Sequence, residues 1–373
     1  MSTSFSIKDK GLKLETADDV KEFAQQIKDT PNLKEINLQG NTIGVEASKA
    51  LAKAFENQKS LETINLSDIY TGRLVQEIPE SLDALLTSLL TCPNLHTIDL
   101  SDNAFGIMTI DPLEKFLSQH APLEHLILAN NGLGPAAGTR VGNALTKLAE
   151  VKKNSAEKVP DLVTVICGRN RLENGSMEAW AKLLVAHGTI KDLRLPQNGI
   201  RQEGIEHLLL HGLSESPKIE KLDLQDNTFT VTGATALAKV FSKWPVISDL
   251  GISDCLLSNE GTDLFARALL ELETPLESLE HLRLQYNEIE GAGALKLANA
   301  LKTQAPNLKL IELNGNMFPE DHAVVDLLNE LFEERGFGEL DELDDMEIFS
   351  ESEEEESEEE VEELGEKLSK AEI

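Results

Sequence analysis

Cysteine and aromatic residues are scarce in this chain. Its 373 residues include only three cysteines, Cys92, Cys167 and Cys255, and aromatic residues make up 4%. The cysteines show neither a CxxC motif nor the spacing of a disulfide framework, so the composition favours a protein of a reducing compartment. Cys167 and Cys255 fall on interior positions of the repeat described below, where we expect them to act as small buried apolar side chains.

Basic residues and long apolar runs are also lacking. The 34 Lys and Arg residues stand against 66 Asp and Glu, which gives a formal net charge of −32. Such an acidic chain is unsuited to binding the nucleic-acid backbone, because that binding depends on clustered basic side chains. No apolar run reaches the length of about 18 residues typical of a transmembrane helix, and the first residues show no signal peptide. We therefore expect neither a nucleic acid nor a membrane as partner.

Catalytic motifs are missing as well. The glycine-rich stretch Gly132–Arg140 lacks the lysine and the spacing of a phosphate-binding loop. The eight histidines are not spaced as zinc ligands, and no nucleophile–base pair stands out. The sequence therefore predicts no bound cofactor, no metal and no complete active site.

What the chain does contain is a repeated motif. The segment LEHLILANNGLG, Leu123–Gly134, shows the L-x-x-L-x-L-x-x-N-x-L pattern of a leucine-rich repeat. The pattern occurs ten times, and most copies start 28 or 29 residues apart, which leaves room for a helix opposite each strand. We predict an α/β leucine-rich-repeat solenoid, a crescent of about 11 strand–helix repeats, with a parallel sheet on the concave face and helices on the convex face. The copies start at Leu33, Leu61, Leu95, Leu123, Leu162, Ile190, Ile219, Ile247, Leu279 and Leu308.

The two ends of the chain differ from the repeats. Phe5–Lys28 has the features of a degenerate first repeat that caps the solenoid, and Val324–Glu334 those of a closing helix. We assign residues 1–338 to the repeat domain with its terminal caps. Residues 339–373 form an acidic tail, since the 17 acidic residues from Glu339 to Glu366 are accompanied by no Lys or Arg. A segment with so much like charge is expected to be largely disordered.

Three steps between copies are long: 34 residues after Leu61, 39 after Leu123 and 32 after Ile247. The copy that starts at Leu61 carries Ile69 where the pattern has Asn, and the next copy follows only after 34 residues. We expect a distorted turn there that pushes Arg73 outward at the C-terminal end of its strand. The longest step between copies, 39 residues, contains the polar stretch Lys152–Pro160, which is predicted to be a loop.

The position just before the patterned asparagine forms a second series, which we call the edge row. Asn131 is a patterned asparagine, expected to bond buried backbone groups of adjacent turns, whereas the repeat has no requirement for Asn130. Stacking brings the edge row to one side of the sheet, with roughly 5 Å between neighbours. Its members are mostly polar, which fits either a rim that recognises a partner or an ordinary solvent-exposed edge. They are Gly40, Asp68, Asp102, Asn130, Arg169, Gln197, Asp226, Asp254, Tyr286 and Gly315.

Several longer segments are more specific than the repeat itself. They are SDIYTGR (Ser67–Arg73), EIPESL (Glu77–Leu82), LSDNAFG (Leu100–Gly106), ANNGLGP (Ala129–Pro135), ICGRNRLENGSM (Ile166–Met177), NGIRQEGIEHLLL (Asn198–Leu210), LDLQDNTFT (Leu222–Thr230), LRLQYNEIE (Leu282–Glu290) and GELDELDDME (Gly338–Glu347). Over nearly its whole length, the chain thereby resembles the fungal Ran GTPase-activating proteins. The resemblance implies that it stimulates GTP hydrolysis on the small GTPase Ran, supports nucleocytoplasmic transport and works in the cytoplasm.

The resemblance also implies roles for individual residues. Asn130 matches the asparagine that orients the glutamine of Ran, which in turn positions the attacking water, so that no arginine finger is inserted. Arg73 matches a functionally important arginine, to which we assign docking and local electrostatics. Asp226 matches a surface acidic residue of the family. The next two residues after Arg73, Leu74 and Val75, depart from the more basic stretch expected there.

The resemblance and the edge row together define the expected partners. Ran in its GTP form is the main one, and a Ran-binding protein could join it in a ternary complex. GTP and magnesium would be bound by Ran, so the chain would be a GTPase activator without a cofactor of its own. The edge-row residues expected to contact the partner, besides Asp226, are Asp102, Arg169 and Tyr286. The alternative is a passive repeat scaffold or an inhibitor resembling ribonuclease inhibitor, against which the low cysteine count and the turn at Arg73 argue.

Overall fold

The protein forms a solenoid of short parallel strands. The computed structural model describes residues 3–56 and 58–346. Its strands are β1 (Ser4–Ser6), β2 (Lys13–Leu14), β3 (Glu35–Asn37), β4 (Thr42–Ile43), β5 (Thr63–Asn65), β6 (Thr97–Asp99), β7 (His125–Ile127), β8 (Thr164–Ile166), β9 (Asp192–Arg194), β10 (Lys221–Asp223), β11 (Asp249–Gly251), β12 (His281–Arg283), β13 (Leu310–Glu312) and β14 (Glu339–Leu340). Within this part of the chain, twelve strands build one sheet in the order β1-β3-β5-β6-β7-β8-β9-β10-β11-β12-β13-β14, and β2 pairs with β4 beside it.

Helices pack behind the sheet, one for each strand of the repeat. Helices such as Val45–Phe55 and Thr230–Val240 fill the space that the repeat length leaves opposite each strand. Buried alanines such as Ala47 and Ala54 allow adjacent helices to approach closely. The helices are α1 (Lys21–Asp29), α2 (Val45–Phe55), α3 (Ile78–Leu89), α4 (Ile110–Leu117), α5 (Gly134–Lys153), α6 (Glu173–His187), α7 (Gln202–His211), α8 (Thr230–Val240), α9 (Ser258–Leu270), α10 (Gly291–Gln304) and α11 (Ala323–Arg335).

The core lies between the sheet and the helices. In the repeat that begins at Leu123, the side chains of Leu123, Leu126 and Leu128 are all fully buried, as the alternation of the motif requires. The same positions are buried in the neighbouring repeats, so a single hydrophobic cluster extends from Phe5 to Phe332. The predicted leucine-rich-repeat solenoid is therefore confirmed.

The polar interior of the solenoid is a ladder of asparagines. The Asn131 amide donates to the carbonyl oxygens of Leu100, Leu128 and Ala129 at 3.0–3.2 Å, and its oxygen accepts from the backbone N–H of Asn103 at 2.9 Å. The same arrangement recurs at the other patterned asparagines, and these residues are buried. The predicted structural role of Asn131 is thus confirmed, because its amide satisfies backbone groups of two adjacent repeats.

Both ends of the solenoid are covered. At the N-terminus, β1 pairs with β3 and α1 packs on α2, so the first repeat forms the predicted cap. At the C-terminus, α11 closes the helical layer and is followed by Gly336, whose φ of 72° lies in the left-handed region and terminates the helix. The chain then adds β14 alongside β13.

The boundary of the repeat domain differs from the predicted one at residue 338. Residues 339–346 pack on the last repeats, and Asp341 accepts hydrogen bonds from the backbone N–H groups of Leu313 and Asn314 at 2.7 and 3.1 Å. The carboxylate thus continues the hydrogen bonding of β14 beyond the strand itself. The solenoid therefore includes the first residues of the acidic segment. The disorder predicted for the rest of that segment concerns residues 347–373, which lie outside the described residues.

The longest repeat has room for a long helix. Helix α5 contains 20 residues and runs through Lys153, so the predicted loop Lys152–Pro160 begins only after its first two residues. The Lys152 ammonium donates to the carbonyl oxygens of Ala121, Leu123 and Pro160 at 2.6–2.8 Å. This side chain joins the end of α5 to the segment just before β7 and to the loop that follows α5.

The cysteines are interior side chains. Cys92, Cys167 and Cys255 are fully buried and unpaired, which confirms the apolar role predicted for the last two. Burial raises the pKa of the Cys167 thiol, and it raises the pKa of Cys255 to about 12.

In the described part of the chain, every helix is too short or too polar to cross a bilayer.

Candidate functional site

The edge row has a common backbone conformation. All ten of its residues have a positive φ, between 48° at Asp68 and 72° at Gly315. In this left-handed region the side chain crowds the following carbonyl, and Gly, Asn and Asp tolerate it best. The frequent Asp, Asn and Gly of the row therefore have a structural cause as well as an exposed position. The repeat does favour an asparagine at position 130, which the pattern alone did not reveal.

Hydrogen bonds between repeats hold the edge row in place. The backbone N–H of Asn130 donates to the carbonyl oxygen of Gly168 at 2.9 Å, and that of Arg169 donates to Pro196 at 2.9 Å. Equivalent bonds run from Asp102 to Ala129 and from Asp226 to Ser253. The hydrogen bonding of the sheet thus continues past the ends of the strands into the edge row.

Asn130 presents an oriented amide at this edge. Its side chain is exposed, and its Nδ2 donates to Oδ1 of Asp102 in the preceding repeat at 2.7 Å. Among the described residues, the amide oxygen and the second N–H of Asn130 have no hydrogen-bond partner. The bond to Asp102 leaves those two groups free and limits rotation of the amide plane.

Arg73 is not pushed outward as expected. Its side chain is only 6% exposed and turns back to the N-terminal cap, where it forms an ion pair with Glu15. The guanidinium also donates to Oγ1 of Thr42 at 2.9 Å and to the carbonyl oxygens of Thr42 and Leu14 at 3.2 and 3.4 Å. The hydrogen bond from Arg73 lowers the pKa of the Glu15 carboxyl. In this conformation Arg73 fastens its turn to the cap.

The distorted turn exposes apolar side chains. Ile69, which replaces the patterned asparagine, is fully buried, and the buried Tyr70 hydroxyl lies 2.9 Å from Oγ of Ser81. Leu74 and Val75, which follow Arg73, are instead 66% and 48% exposed. In the next repeat the corresponding strand-to-helix turn exposes Ile107 and Met108, an apolar pair that no motif of the sequence marks.

Arginines lie on the other side of Asn130. Arg169 follows Asn130 in the edge row, and Arg171 and Arg201 lie in the strand-to-helix turns of the same and the next repeat. All three are exposed, and within the described residues none of them forms an ion pair. The sequence pattern predicts only Arg169 as a contact residue, because it alone of the three lies in the edge row. Unpaired guanidinium groups are notable in a chain with a net charge of −32, because carboxylates outnumber them so strongly.

The remaining edge-row candidates are distributed along the same side. Asp226 is exposed and lines a shallow depression with Gln197 and Asp254. Tyr286 is 47% exposed, but its hydroxyl donates to Asp345 at 2.9 Å, which raises the pKa of Tyr286. Tyr286 is therefore covered in part by residues that the sequence assigned to the tail.

These features define a leucine-rich-repeat protein with a row of mostly exposed polar residues along one edge of its sheet. The family model described as Leucine Rich repeat matches residues 31–52, 215–238 and 276–298. The chain is 43% identical over 338 residues to Ran GTPase-activating protein 1 of Saccharomyces cerevisiae, covering 88% of this chain and 82% of the yeast protein. The chain therefore belongs to the family of Ran GTPase-activating proteins, and the resemblance noted in the sequence is confirmed.

Two further comparisons show how far the similarity extends. Ran GTPase-activating protein 2 of Caenorhabditis elegans is 41% identical over 207 residues, which is 55% of this chain but only 21% of the nematode protein. Among solved structures, an internalin from Listeria monocytogenes aligns with 93% of this chain and 82% of its own, at a TM-score of 0.49 and 15% identity.

Proposed function

We propose that this chain accelerates GTP hydrolysis by the small GTPase Ran. The family to which it belongs supports this assignment, and the observation that carries the mechanism is the oriented amide of Asn130. Phosphoryl transfer depends mainly on positioning and electrostatics, so an activator needs few groups of its own. The chain would act as a regulator of the hydrolase activity of Ran.

In this proposal Asn130 orients the glutamine of Ran that positions the attacking water. An amide offers a donor and an acceptor in one plane, which matches the amide of a glutamine. Asp102 holds one N–H of Asn130 at 2.7 Å, so the free oxygen and the second N–H face the partner in a limited range of orientations. Fixing the geometry of reacting groups in advance lowers the entropic part of the barrier.

Arg73 would support this reaction without entering it. A transition-state finger needs a free guanidinium, whereas the Arg73 side chain is 6% exposed and its guanidinium is bonded to Glu15 and Thr42. We infer that Arg73 assists docking by holding the turn that exposes Leu74 and Val75 beside the edge row. Its charge would act locally through the cap and not on the phosphate.

The docking surface would extend from this turn along the edge row. Arg169 contributes an unpaired cation next to Asn130, and Asp102, Asp226 and Tyr286 add groups of other charge and shape. Charge complementarity of this kind mainly steers association and selects the partner. We expect contacts with Ran in its GTP form, and a Ran-binding protein could complete a ternary complex.

The rest of the proposal concerns chemistry and location. GTP and magnesium would be held by Ran, so the chain needs no cofactor for this activity. Activation in the cytoplasm would keep Ran in its GDP form outside the nucleus and thereby support nucleocytoplasmic transport. Neither a nucleic acid nor a membrane takes part.

Single-turnover hydrolysis of GTP by Ran, with and without this chain, tests the proposal directly. We expect a large acceleration that saturates with the concentration of the chain. Absence of acceleration, with binding to Ran retained, would favour the alternative of a passive repeat scaffold or inhibitor, which would use the same exposed edge row.

A further inference from the structure

A cluster of potential metal ligands lies at the opposite ends of the strands from Asn130. It consists of His96, Glu124 and His125, whose ligand atoms all lie within 4.8 Å of one another. Ligand spacing in the sequence does not indicate the cluster, because the two histidines are 29 positions apart. Stacking of the repeats that start at Leu95 and Leu123 brings them together, since Thr97 of β6 pairs with His125 of β7.

The backbone fixes the three residues on adjacent strands. The carbonyl oxygen of His96 accepts hydrogen bonds from the N–H groups of both Glu124 and His125, at 2.8 and 2.9 Å. Two rings that meet edge-on, with centroids 6.3 Å apart, therefore project from a rigid part of the sheet. Sites built on strands keep their geometry better than sites built on loops.

Neighbouring threonines orient both imidazole rings. Nδ1 of His96 lies 2.9 Å from Oγ1 of Thr97, and Nδ1 of His125 lies 2.9 Å from Oγ1 of Thr164. If each Nδ1–H donates to its hydroxyl oxygen, each Nε2 carries a free lone pair. Metal-binding histidines are usually held in this way, with the second ring nitrogen bonded to a polar group that fixes the tautomer.

The third ligand is a carboxylate at suitable range. Oε1 of Glu124 lies 3.7 Å from Nε2 of His125, and both side chains are about one-third exposed. Ligand atoms around a tetrahedral zinc ion are about 3.3 Å apart, so small rotations of these half-exposed side chains suffice to close the site. Two imidazoles and one carboxylate form a common zinc ligand set, whereas Mg²⁺ and Ca²⁺ prefer oxygen alone.

We propose that His96, Glu124 and His125 form a binding site for a divalent transition-metal ion, with Zn²⁺ as the best match. Water fills the fourth position, because the cluster faces solvent on the sheet side of the solenoid. The site belongs to the same two repeats that carry Asp102 and Asn130, but it does not depend on the activity proposed for them.

Titration of the full chain with Zn²⁺, in competition with a chromophoric chelator, tests this proposal. We expect each chain to bind one Zn²⁺ ion in a saturable manner. Co²⁺ in place of Zn²⁺ should give the intense visible absorption of a four-coordinate ion. Removal of an orienting partner typically costs 10–100-fold in affinity, so Thr164→Val should weaken binding by about tenfold and His96→Ala or His125→Ala by at least about 100-fold.

A second histidine pair provides the control. His207 and His211 lie one turn apart on α7, with ring centroids 4.7 Å apart, and could capture zinc by themselves. The double change His207→Ala with His211→Ala should leave both the amount of Zn²⁺ bound per chain and the Co²⁺ spectrum unchanged. Melting curves recorded in chelator should show that every variant is folded. The proposal would be overturned if Zn²⁺ showed no saturable binding, or if its binding survived His96→Ala and His125→Ala. Loss of Zn²⁺ binding in the double variant of His207 and His211 would overturn it as well.

Discussion

Asn130 and Asn131 are neighbours in sequence, but the solenoid gives their side chains opposite surroundings. The Asn131 amide is enclosed and bonded to backbone groups of two repeats, whereas the Asn130 amide is exposed and bonded only to Asp102 among the described residues. A positive φ of 54° adds a second difference, because it makes position 130 sensitive to the backbone preference of any replacement. Substitutions at position 130 must therefore distinguish the effect of losing the amide from the effect of straining the left-handed backbone.

Asn130→Gly is the change that removes the amide while keeping the left-handed conformation. We expect the melting temperature to remain close to that of the wild type, binding to Ran to persist, and the hydrolysis rate to fall by roughly 10²-fold, a usual size for one positioning group. Asn130→Ala should show the same fall in hydrolysis rate and should also lose about 1 kcal/mol of stability, because an alanine Cβ crowds the left-handed backbone. Single-turnover kinetics and thermal melts measure the two effects.

Two controls accompany this prediction. Asp254→Gly makes an equivalent change at an edge-row position with a φ of 52°, and it should leave the saturated single-turnover rate unaltered. Asn131→Ala should cost about 1–3 kcal/mol of stability, since it leaves buried backbone groups without partners. An Asn130→Gly protein that binds Ran and activates it normally would disprove the proposed role.

Arg73 should act through the cap, so its ion-pair partner should matter as well. Arg73→Ala and Glu15→Ala both release the turn from the cap, and we expect both to weaken the encounter with Ran to a similar extent. Saturating concentrations of the chain should recover much of the single-turnover rate in each variant. A fall of about 10³-fold or more in the saturated rate of Arg73→Ala would instead indicate an arginine finger. Normal binding by Glu15→Ala, with binding lost in Arg73→Ala, would indicate direct contact between Arg73 and Ran.

His120 makes stability depend on pH. Its ring is 2% exposed, stacks on Phe116 and has Nε2 at 2.6 Å from the carbonyl oxygen of Leu95. Burial penalises the imidazolium and lowers the pKa of His120 from 6.5 to about 4. In the unfolded chain His120 becomes protonated below about pH 6.5, whereas in the native state it stays neutral down to about pH 4. The native state therefore loses stability as the pH falls from about 6.5 to about 4.

The size of this effect can be measured by urea unfolding. Between about pH 7.5 and pH 5 the contribution of His120 should amount to roughly 2 kcal/mol. His120→Gln keeps a donor for Leu95 but cannot titrate, so its loss of stability over the same interval should be smaller by that amount. Burial also lowers the pKa of His187, whose contribution remains in both proteins. Equal losses in the two proteins would show that His120 is not the group responsible.

At the scale of elements, the C-terminal strand β14 closes the sheet. Its pairing with β13 covers an edge that would otherwise expose unpaired backbone groups. Asp341 extends this cover to the N–H groups of Leu313 and Asn314, and Asp345 binds Tyr286. The first acidic residues after α11 are thus part of the terminal cap.

Two truncations separate this cap from the remaining acidic segment. A chain that ends at Met346 should keep the melting temperature and the activation of Ran, because it retains β14 and the contacts of Asp341. A chain that ends at Gly338 should lose roughly 1–3 kcal/mol, seen as a fall of several degrees in melting temperature. In the longer chain, Asp341→Ala should reproduce part of that loss. Equal melting temperatures for the two truncated chains would contradict this role of β14.

At the scale of the whole molecule, each repeat depends mainly on its neighbours. The strands of the twelve-stranded sheet follow one another in chain order within the described residues, with only β2 and β4 set aside, and the strongest helix contacts are those between consecutive helices. Stability in such a solenoid is approximately a sum of repeats and of the interfaces between them. The ends then need caps, which here are β1 with α1 on one side and α11 with β14 on the other.

The sequence by itself determined the periodic part of this protein. Leucines two and three residues apart, a buried asparagine at a fixed offset and about 28 residues for each turn were sufficient to predict the strands, the ladder and the caps. The position of the edge row also followed, because stacking places equivalent residues side by side. The family followed from longer segments such as LSDNAFG and ICGRNRLENGSM, which the repeat does not dictate.

Only the tertiary structure decided which side chains meet between repeats. The contacts of Arg73 with Glu15, of Asn130 with Asp102 and of Tyr286 with Asp345 join residues 28 to 59 positions apart, at places where the motif allows many residue types. The grouping of His96 with Glu124 and His125 arose in the same way. A repeat pattern fixes the backbone position of such residues, but the direction of an exposed side chain depends on partners that local sequence does not specify. For that reason the fold was predictable, whereas the direction of Arg73 was not.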